Sequence, residues 1–347
     1  MISYSEILKK AILLQESEVP FVIFRRPNEK QINLYNQIDN QVYIFEDSFA
    51  NEGFVLAPFQ NITHKKILLK SEEKYVANVE DFHFQFSDRK LPFDEGQKQN
   101  HIKLIKKAVQ TMQNSELHKV VLSRKIAAPY HKNPVEIFQK MIENYPTAFC
   151  YLFSHPKVGV WLAATPETLL KFSENQLYTM ALAGTQPFKE GIITWQQKER
   201  EEQQIVTDDI LDKIKFYTEN KKVSEPKTVR AGGVVHLCTH ITADLQADKN
   251  PFDVVTQLHP TPAVCGFPFE AAQQFILENE SYDRIFYTGY CGVVEQQKFD
   301  FYVNLRCMQL EENQAYIYVG GGVLKESIPD SEWDETQNKA QTMFRIL

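Results

Sequence analysis

At 347 residues, 43% hydrophobic and 24% charged, the chain has room for one large domain or two ordinary ones, and the balance of a globular protein with a sizeable core. Its formal net charge of −7 argues against a duplex nucleic acid, whose binding calls for a basic excess. It does not argue against an anionic substrate, because local charge and a bound cation decide that. The cysteines Cys150, Cys238, Cys265, Cys291 and Cys307 are odd in number and form no Cys-x-x-Cys, which excludes a disulfide framework and a zinc site.

Met1-Ile2-Ser3-Tyr4 is not a charged segment leading into an apolar core, so no secretory leader is expected. No apolar run approaches the ~20 residues that cross a bilayer. Reduced thiols, a cytoplasmic location and no membrane association are the expectations.

Residues 1–97 hold an opening helix and short apolar runs (Val19 to Phe24, Val42 to Phe45, Ile67 to Leu69) that read as strands and carry no chemical motif. Ser87 to Gln99 is polar, with Pro92 and Gly96, and reads as a connecting loop. From about His101, the residues Ile102, Ile105, Val109 and Met112 recur at helical spacing. Lys119 to Arg124 is a strand by its β-branched content. Asn133-Pro134 starts a helix, with Asn as cap and Pro at the first helical position. Strand-like runs follow at Phe149 to Phe153, Val158 to Ala163 and Leu177 to Ala183. Trp195 to Glu219 predicts a long helix, and Pro251 to Leu258 and Glu270 to Leu277 two shorter ones. From Ile285 to Leu324 the pattern is β, with Glu311-Glu312-Asn313-Gln314 as a hairpin turn, and 330–346 is a closing amphipathic helix. Strands and helices without regular βαβ alternation point to an α+β fold. Nothing divides the chain after residue 97, so one domain is expected.

Three groups of residues suggest chemistry. Glu332, Glu335 and Lys339 share one face of the closing helix, next to Gly320-Gly321-Gly322, where a strand ends and its backbone can approach a ligand. A solvated charged stripe is the plainer reading of that face. Lys198-Glu199-Arg200-Glu201-Glu202 offers carboxylates that either face solvent or meet Glu335 across a hard metal, and spacing does not choose between them. His236 and His240 have zinc-ligand spacing for a helix, but their neighbours read as strand and no catalytic Glu follows His236, so zinc is rejected.

Eight segments, in order, resemble the chorismate-utilising enzymes, the family of isochorismate and salicylate synthases and the large subunits of anthranilate and aminodeoxychorismate synthases. They are Lys119-Val120-Val121-Leu122-Ser123-Arg124, Ala164-Thr165-Pro166-Glu167, Leu182-Ala183-Gly184-Thr185, Lys198 to Glu202, Leu258 to Gly266, Asn304-Leu305-Arg306-Cys307, Gly320-Gly321-Gly322 and Glu332-Trp333-Asp334-Glu335-Thr336. The resemblance implies one large domain of stacked antiparallel sheets with helices outside. Residues 1–97 would contribute strands and a helix, and 98–347 would be the chorismate-binding catalytic region.

It also implies roles. Lys119 matches a general base acting on water, and Glu167 the acid that protonates the departing C4 hydroxyl. Glu202 and Glu335 match the Mg²⁺ carboxylates. Gly184, Thr185, His259, Ala263, Arg306, Gly320 and Lys339 match substrate-lining positions, and Arg306 and Lys339 suit a dicarboxylate. Such chemistry requires a lysine deprotonated at work and a glutamic acid kept protonated. The segment Val206-Thr207-Asp208-Asp209-Ile210-Leu211-Asp212 lacks the Arg-Asn-Asp core of the aminating enzymes. Together with Lys119 and His259-Pro260-Thr261-Pro262, this points to isochorismate synthesis, feeding menaquinone or a catechol siderophore. Salicylate synthesis is the alternative, and a non-catalytic chorismate-binding protein the remoter one. The family's usual Glu-His is Glu202-Gln203 here. A monomer with no glutaminase subunit is expected.

Overall fold

Strands buried on both faces dictate a layered molecule. In Phe21–Arg25, Phe21 and Ile23 enter one hydrophobic cluster, Val22 and Phe24 another. Phe149–His155 repeats the split, with Cys150 and Leu152 on the first side and Phe149, Tyr151 and Phe153 on the second. The computed structural model describes residues 1–79, 90–188, 190–191, 193–231 and 234–347. Within these, two antiparallel sheets stack face to face.

The first sheet runs, neighbour to neighbour, through Gly266–Phe267, Lys119–Pro129, Gln314–Leu324, Cys307–Glu311, Gly159–Thr165, Phe149–His155, Phe21–Arg25, Gln31–Asn36 and Glu73–Asn78. The second runs through Thr218–Val223, Val234–Leu245, Gln176–Pro187, Thr168–Ser173, Lys298–Val303, Tyr290–Glu295, Gly53–Ala57, Ile67–Lys70 and Tyr43–Ile44, and Lys227–Ala231 also pairs with Val234–Leu245. Phe24, Phe54, Tyr151, Trp161 and Tyr318 fill the space between the sheets, where the Phe149 and Tyr302 rings stack at 4.2 Å.

Helices cover the outer faces. They are α1 (Tyr4–Glu16), α2 (Glu95–Asn114), α3 (Pro134–Asn144), α4 (Gln197–Ile214), α5 (Pro251–Leu258), α6 (Phe269–Asn279) and α7 (Pro329–Phe344). α1, α3 and α7 lie on the first sheet through Ile7, Phe138, Met141 and Phe344. α4 and α5 lie on the second through Val206, Ile210, Phe252 and Val255. α2 and α6 pack on Val120, Leu122 and Val323. Among the described residues, no helix is long and apolar enough to cross a membrane.

The Asn-Pro start holds as expected: Asn133 Oδ1 accepts from the Val135 N–H at 2.8 Å. Asn250 repeats the device for α5, accepting from the Phe252 N–H at 3.1 Å. Three expectations need correction. α2 begins at Glu95, not His101, because Asp94 caps it by accepting from the Gln97 N–H at 3.0 Å; the polar first turn hid the start from a search for apolar periodicity. The loop expected at 87–99 therefore shrinks, and its residues 87–89 lie outside the described ones. α4 stops at Ile214, and Thr218–Val223 leaves it to pair with Val234–Leu245 at the sheet edge. The triple glycine lies within Gln314–Leu324, paired with Ser123, Leu122 and Val121, and does not end the strand.

Candidate active site

A cleft of about 710 Å³, measured out to solvent, takes its walls from both sheets, from α4 and from α7. Its floor follows from the pairing of Lys119–Pro129 with Gln314–Leu324, which sets the glycines opposite the segment after Lys119. A Cβ on Gly322 would stand 2.9 Å from Glu202 Oε1 and 3.2 Å from Lys119 Cε. A Cβ on Gly321 would stand 3.7 Å from Glu335 Oε1 and 3.9 Å from Glu332 Oε2. The glycines are thus the floor over which carboxylates from two helices converge.

Each of these carboxylates has a lysine. Lys119 Nζ lies 2.9 Å from Glu202 Oε1, Lys339 Nζ 2.6 Å from Glu335 Oε1, and Lys198 Nζ 3.4 Å from Glu332 Oε1. Lys119 is 1% exposed, and beyond its ion pair with Glu202 its Nζ has no partner among the described residues, so it retains unused donors. Burial disfavours the Glu202 charge, but Lys119, with Lys339 and Lys198 behind it, outweighs burial and holds the carboxyl below its ordinary value.

Glu167 behaves in the opposite way. It follows Pro166 at the end of Gly159–Thr165, pinned by the Val303 N–H donating to its carbonyl at 3.0 Å. Burial pushes its carboxyl up to about 8, and the pull of Lys119 and Lys339 does not reverse this. At neutral pH Glu167 therefore carries its proton.

The opposite wall is built around a bulge. The pairing of Gln176–Pro187 with Val234–Leu245 shifts register between Ala183 and Thr185. Gly184 sits there at φ +69°, where a Cβ would be strained and 3.0 Å from Glu199 Cβ. The bulge brings Gly184 O and Thr185 Oγ1 each to 3.1 Å from His236 Nδ1, which donates to the carbonyl. Nε2 of this buried ring is left without a partner among the described residues. Burial, reinforced by Arg306 and Lys339, lowers the imidazole to about 3 and keeps it neutral. His236 is the functional candidate that sequence reasoning missed. The His-x-x-x-His spacing drew it into a zinc argument, whereas alternation along Val234–Leu245 was the signal that could have placed it on a wall.

Arg306 connects two strands in the left-handed region at φ +47°, a conformation that costs a non-glycine residue about 1–2 kcal/mol. Its Nη1 reaches the Lys339 carbonyl at 3.4 Å and Thr342 Oγ1 at 3.5 Å, both long contacts, and burial lowers its pKa. No carboxylate pairs with it among the described residues, so a cation remains for an anionic ligand.

Of the residues singled out from sequence, Glu167, Gly184, Thr185, Glu202, Ala263, Arg306, Gly320, Glu335 and Lys339 line this one cleft. Lys119 stands behind its floor against Glu202. His259 is not on a wall: its Nε2 donates to the Pro58 carbonyl at 3.0 Å, and the ring packs edge-on to Tyr290, because the turn of the His-Pro-Thr-Pro segment delivers Ala263 and Val264 instead. Gln203 points away from the carboxylates and donates to Thr207 Oγ1 and Thr239 Oγ1 at 2.9 and 2.7 Å. Tyr287 and Thr288 complete the wall and were not foreseen.

The donors fit a hard divalent cation in kind. Glu202 and Glu335 are carboxylates on one cleft, their approach depends on glycines that a side chain would crowd, and Mg²⁺ takes one or two such carboxylates and keeps several waters. Among the described residues no group of three His, Cys, Asp or Glu stands together.

The isochorismate synthase MenF of Escherichia coli (strain K12) is 33% identical over 261 residues, covering 70% of this chain and 59% of its own length. EntC of the same strain, also an isochorismate synthase, is 28% identical, covering 70% of this chain and 66% of its own. The matches thus span less than two thirds of these relatives. The solved structure of E. coli MenF, described as menaquinone-specific, superposes with a TM-score of 0.78 at 21% identity over 94% of this chain and 88% of that one. Anthranilate synthase component I of Streptococcus pneumoniae superposes with 0.70 at 18% identity over 94% and 92%. These superpositions establish a shared fold, and the fold alone spans more than one reaction. The profile described as chorismate binding enzyme matches residues 54–347, and the chain belongs to that family.

Proposed function

We propose that the protein is an isochorismate synthase, which transfers the ring hydroxyl of chorismate from C4 to C2 by adding one water and expelling another. The supporting observation is that one cleft keeps the carboxyl of Glu167 neutral while holding that of Glu202 ionised beside Lys119. That contrast marks Glu167 as the acid and Glu202 as an anion fit for a cation, and leaves the buried Lys119 beside it as the base.

Water attacking C2 loses a proton, and the C4 hydroxyl gains one as it leaves. Lys119 Nζ, once it has given up its own proton, takes the first as a neutral amine, and Glu167 gives the second; the lysine then returns a proton to solvent and Glu167 regains one, so the protons balance over the turnover. Arg306 and Lys339 hold the two carboxylates of the substrate, and His236 Nε2, a lone pair facing the cleft, accepts from a ring hydroxyl. Glu202 and Glu335 would hold Mg²⁺, which supplies Lewis-acid stabilisation at a substrate carboxylate. Water, not ammonia, is the nucleophile in this reading, because a base is built in for it.

The test is chromatography of the products formed from chorismate with Mg²⁺. Isochorismate with its enolpyruvyl group intact is expected, and activity should vanish with excess chelator and return with Mg²⁺. Salicylate and pyruvate as main products would replace this reading by salicylate synthesis, and an aminated product formed as fast from ammonium would remove the role of Lys119.

A further inference from the structure

Glu280 and Arg284 stand outside the cleft, four residues apart in the loop that follows α6, and their side chains, each 2% exposed, form a buried ion pair. Every donor of the guanidinium is used. Nε and Nη2 donate to Glu280 Oε2 and Oε1 at 2.7 and 2.6 Å. Nη2 also donates to the Val121 carbonyl at 2.7 Å, and Nη1 donates to the Val264 carbonyl at 3.1 Å and to Thr288 Oγ1 at 3.2 Å. The last three acceptors belong to residues that line the cleft from three separate segments.

Glu280 performs a related task. The segment ending in Gly266–Phe267 follows Lys119–Pro129 as far as Val121, whose N–H donates to the Cys265 carbonyl at 2.8 Å, and beyond that the strand edge needs another acceptor. Glu280 Oε1 supplies it, accepting from the Ser123 N–H at 2.7 Å and from Ser123 Oγ at 2.8 Å. The same side chain therefore fixes the strand that carries Lys119 and orients the arginine that ties Val264 and Thr288 to it.

We propose that Glu280 and Arg284 are positioning residues, a clamp that sets the strand of Lys119 in register with the wall formed by Val264 and Thr288. A buried ion pair contributes little net stability over a well-packed apolar pair, so stability alone does not explain a network satisfied at every atom. A lysine in place of Arg284 keeps the charge but has no planar fork to span three carbonyl and hydroxyl acceptors at once. The consequence falls on the alignment of reacting groups, where an ångström matters more to turnover than to binding.

The clamp rests on the proposed function for its assay. In Arg284→Lys, kcat with chorismate should fall by about 10- to 100-fold while KM stays within about three-fold, with cooperative melting retained. If that variant does not fold, Ser123→Ala decides: loss of the shared hydroxyl should lower kcat by about three- to ten-fold with unchanged melting. A folded Arg284→Lys or Ser123→Ala with wild-type kcat, or a loss confined to melting, overturns the clamp. Amide exchange at Ser123 separates the two claims. A wild-type enzyme inert to chorismate would sink the proposed function, whereas unchanged exchange at Ser123 in Arg284→Lys would sink the clamp.

Discussion

The space between the sheets and the cleft are both buried, and they are made of opposite materials. Between the sheets, Phe24, Phe54, Phe149 and Tyr151 pack ring on ring, as do Trp161 and Tyr318, and burial of apolar surface makes that layer a source of stability. At the cleft, Lys119, Glu167 and His236 are shut away from water at 1%, 3% and 6% exposure, and Lys119 Nζ and His236 Nε2 are not fully satisfied by the described residues. Such groups cost stability unless something pairs with them. The comparison teaches that the aromatic layer carries the energy of folding and the cleft draws on it. Substitutions in the two places should therefore have opposite signatures.

The largest expected effect is at the acid. Glu167→Gln keeps the size of the side chain but delivers no proton, and kcat should fall by about 10²–10⁴ with chorismate still bound. The same variant should gain stability in alkaline solution. Glu167 has its pKa raised from 4.5 to about 8 on folding, so its favourable contribution is complete below 4.5 and is lost as pH rises through about 8. Denaturation curves at several pH values should show the variant overtaking the wild type by a few kcal/mol near pH 9, roughly what a shift of this size represents. A variant that is less stable than wild type at every pH would break the comparison.

The converse substitution is Trp161→Ala in the aromatic layer. It should cost about 3–5 kcal/mol in chemical denaturation, while kcat per folded molecule stays within a few-fold. A specific loss of turnover there would mean the layer does more than support.

Two glycines sharpen the contrast within the cleft itself. Gly322→Ala places a methyl 2.9 Å from Glu202 Oε1 and 3.2 Å from Lys119 Cε, so those side chains must shift; turnover should fall about ten-fold or more. Gly321→Ala meets nothing closer than 3.7 Å and should stay within about three-fold on the same scale. Equal losses at both positions would contradict the floor described above. The smallest effect is Asn133→Ala, which removes a helix cap far from the charges and should cost about 1 kcal/mol with no change in kcat.

What the sequence disclosed and what it hid follow physical lines. Local chemistry was legible: Asn133-Pro134 announces α3, and Glu311 to Gln314 announces a hairpin, because caps and turns are decided within a few residues. The stacked sheets and the glutamates of the cleft were reached through the eight motif segments, since nothing local says that residues 121 and 339 share a wall. Pairing between distant strands stayed hidden. The edge strand after α4 read as more helix, because Phe216 and Tyr217 extend an apolar pattern that only the neighbouring strand redirects. His259 was placed by its motif on the wrong side of a turn, and His236 was overlooked because its partners, Gly184 and Thr185, come from a strand about fifty residues earlier. The Lys119–Glu202 ion pair, which holds that glutamate charged, joins α4 to a distant strand, so it became visible only in three dimensions.

The central claim is that the cleft holds Glu167 as a neutral acid among ionised groups. The direct measurement is a carboxyl-stretch infrared titration, taken as the difference between wild type and Glu167→Gln. The account predicts a protonated carboxyl band that persists through neutral pH and disappears with a midpoint of about 8. A band already lost by pH 6, with a midpoint near the ordinary 4.5, would contradict it.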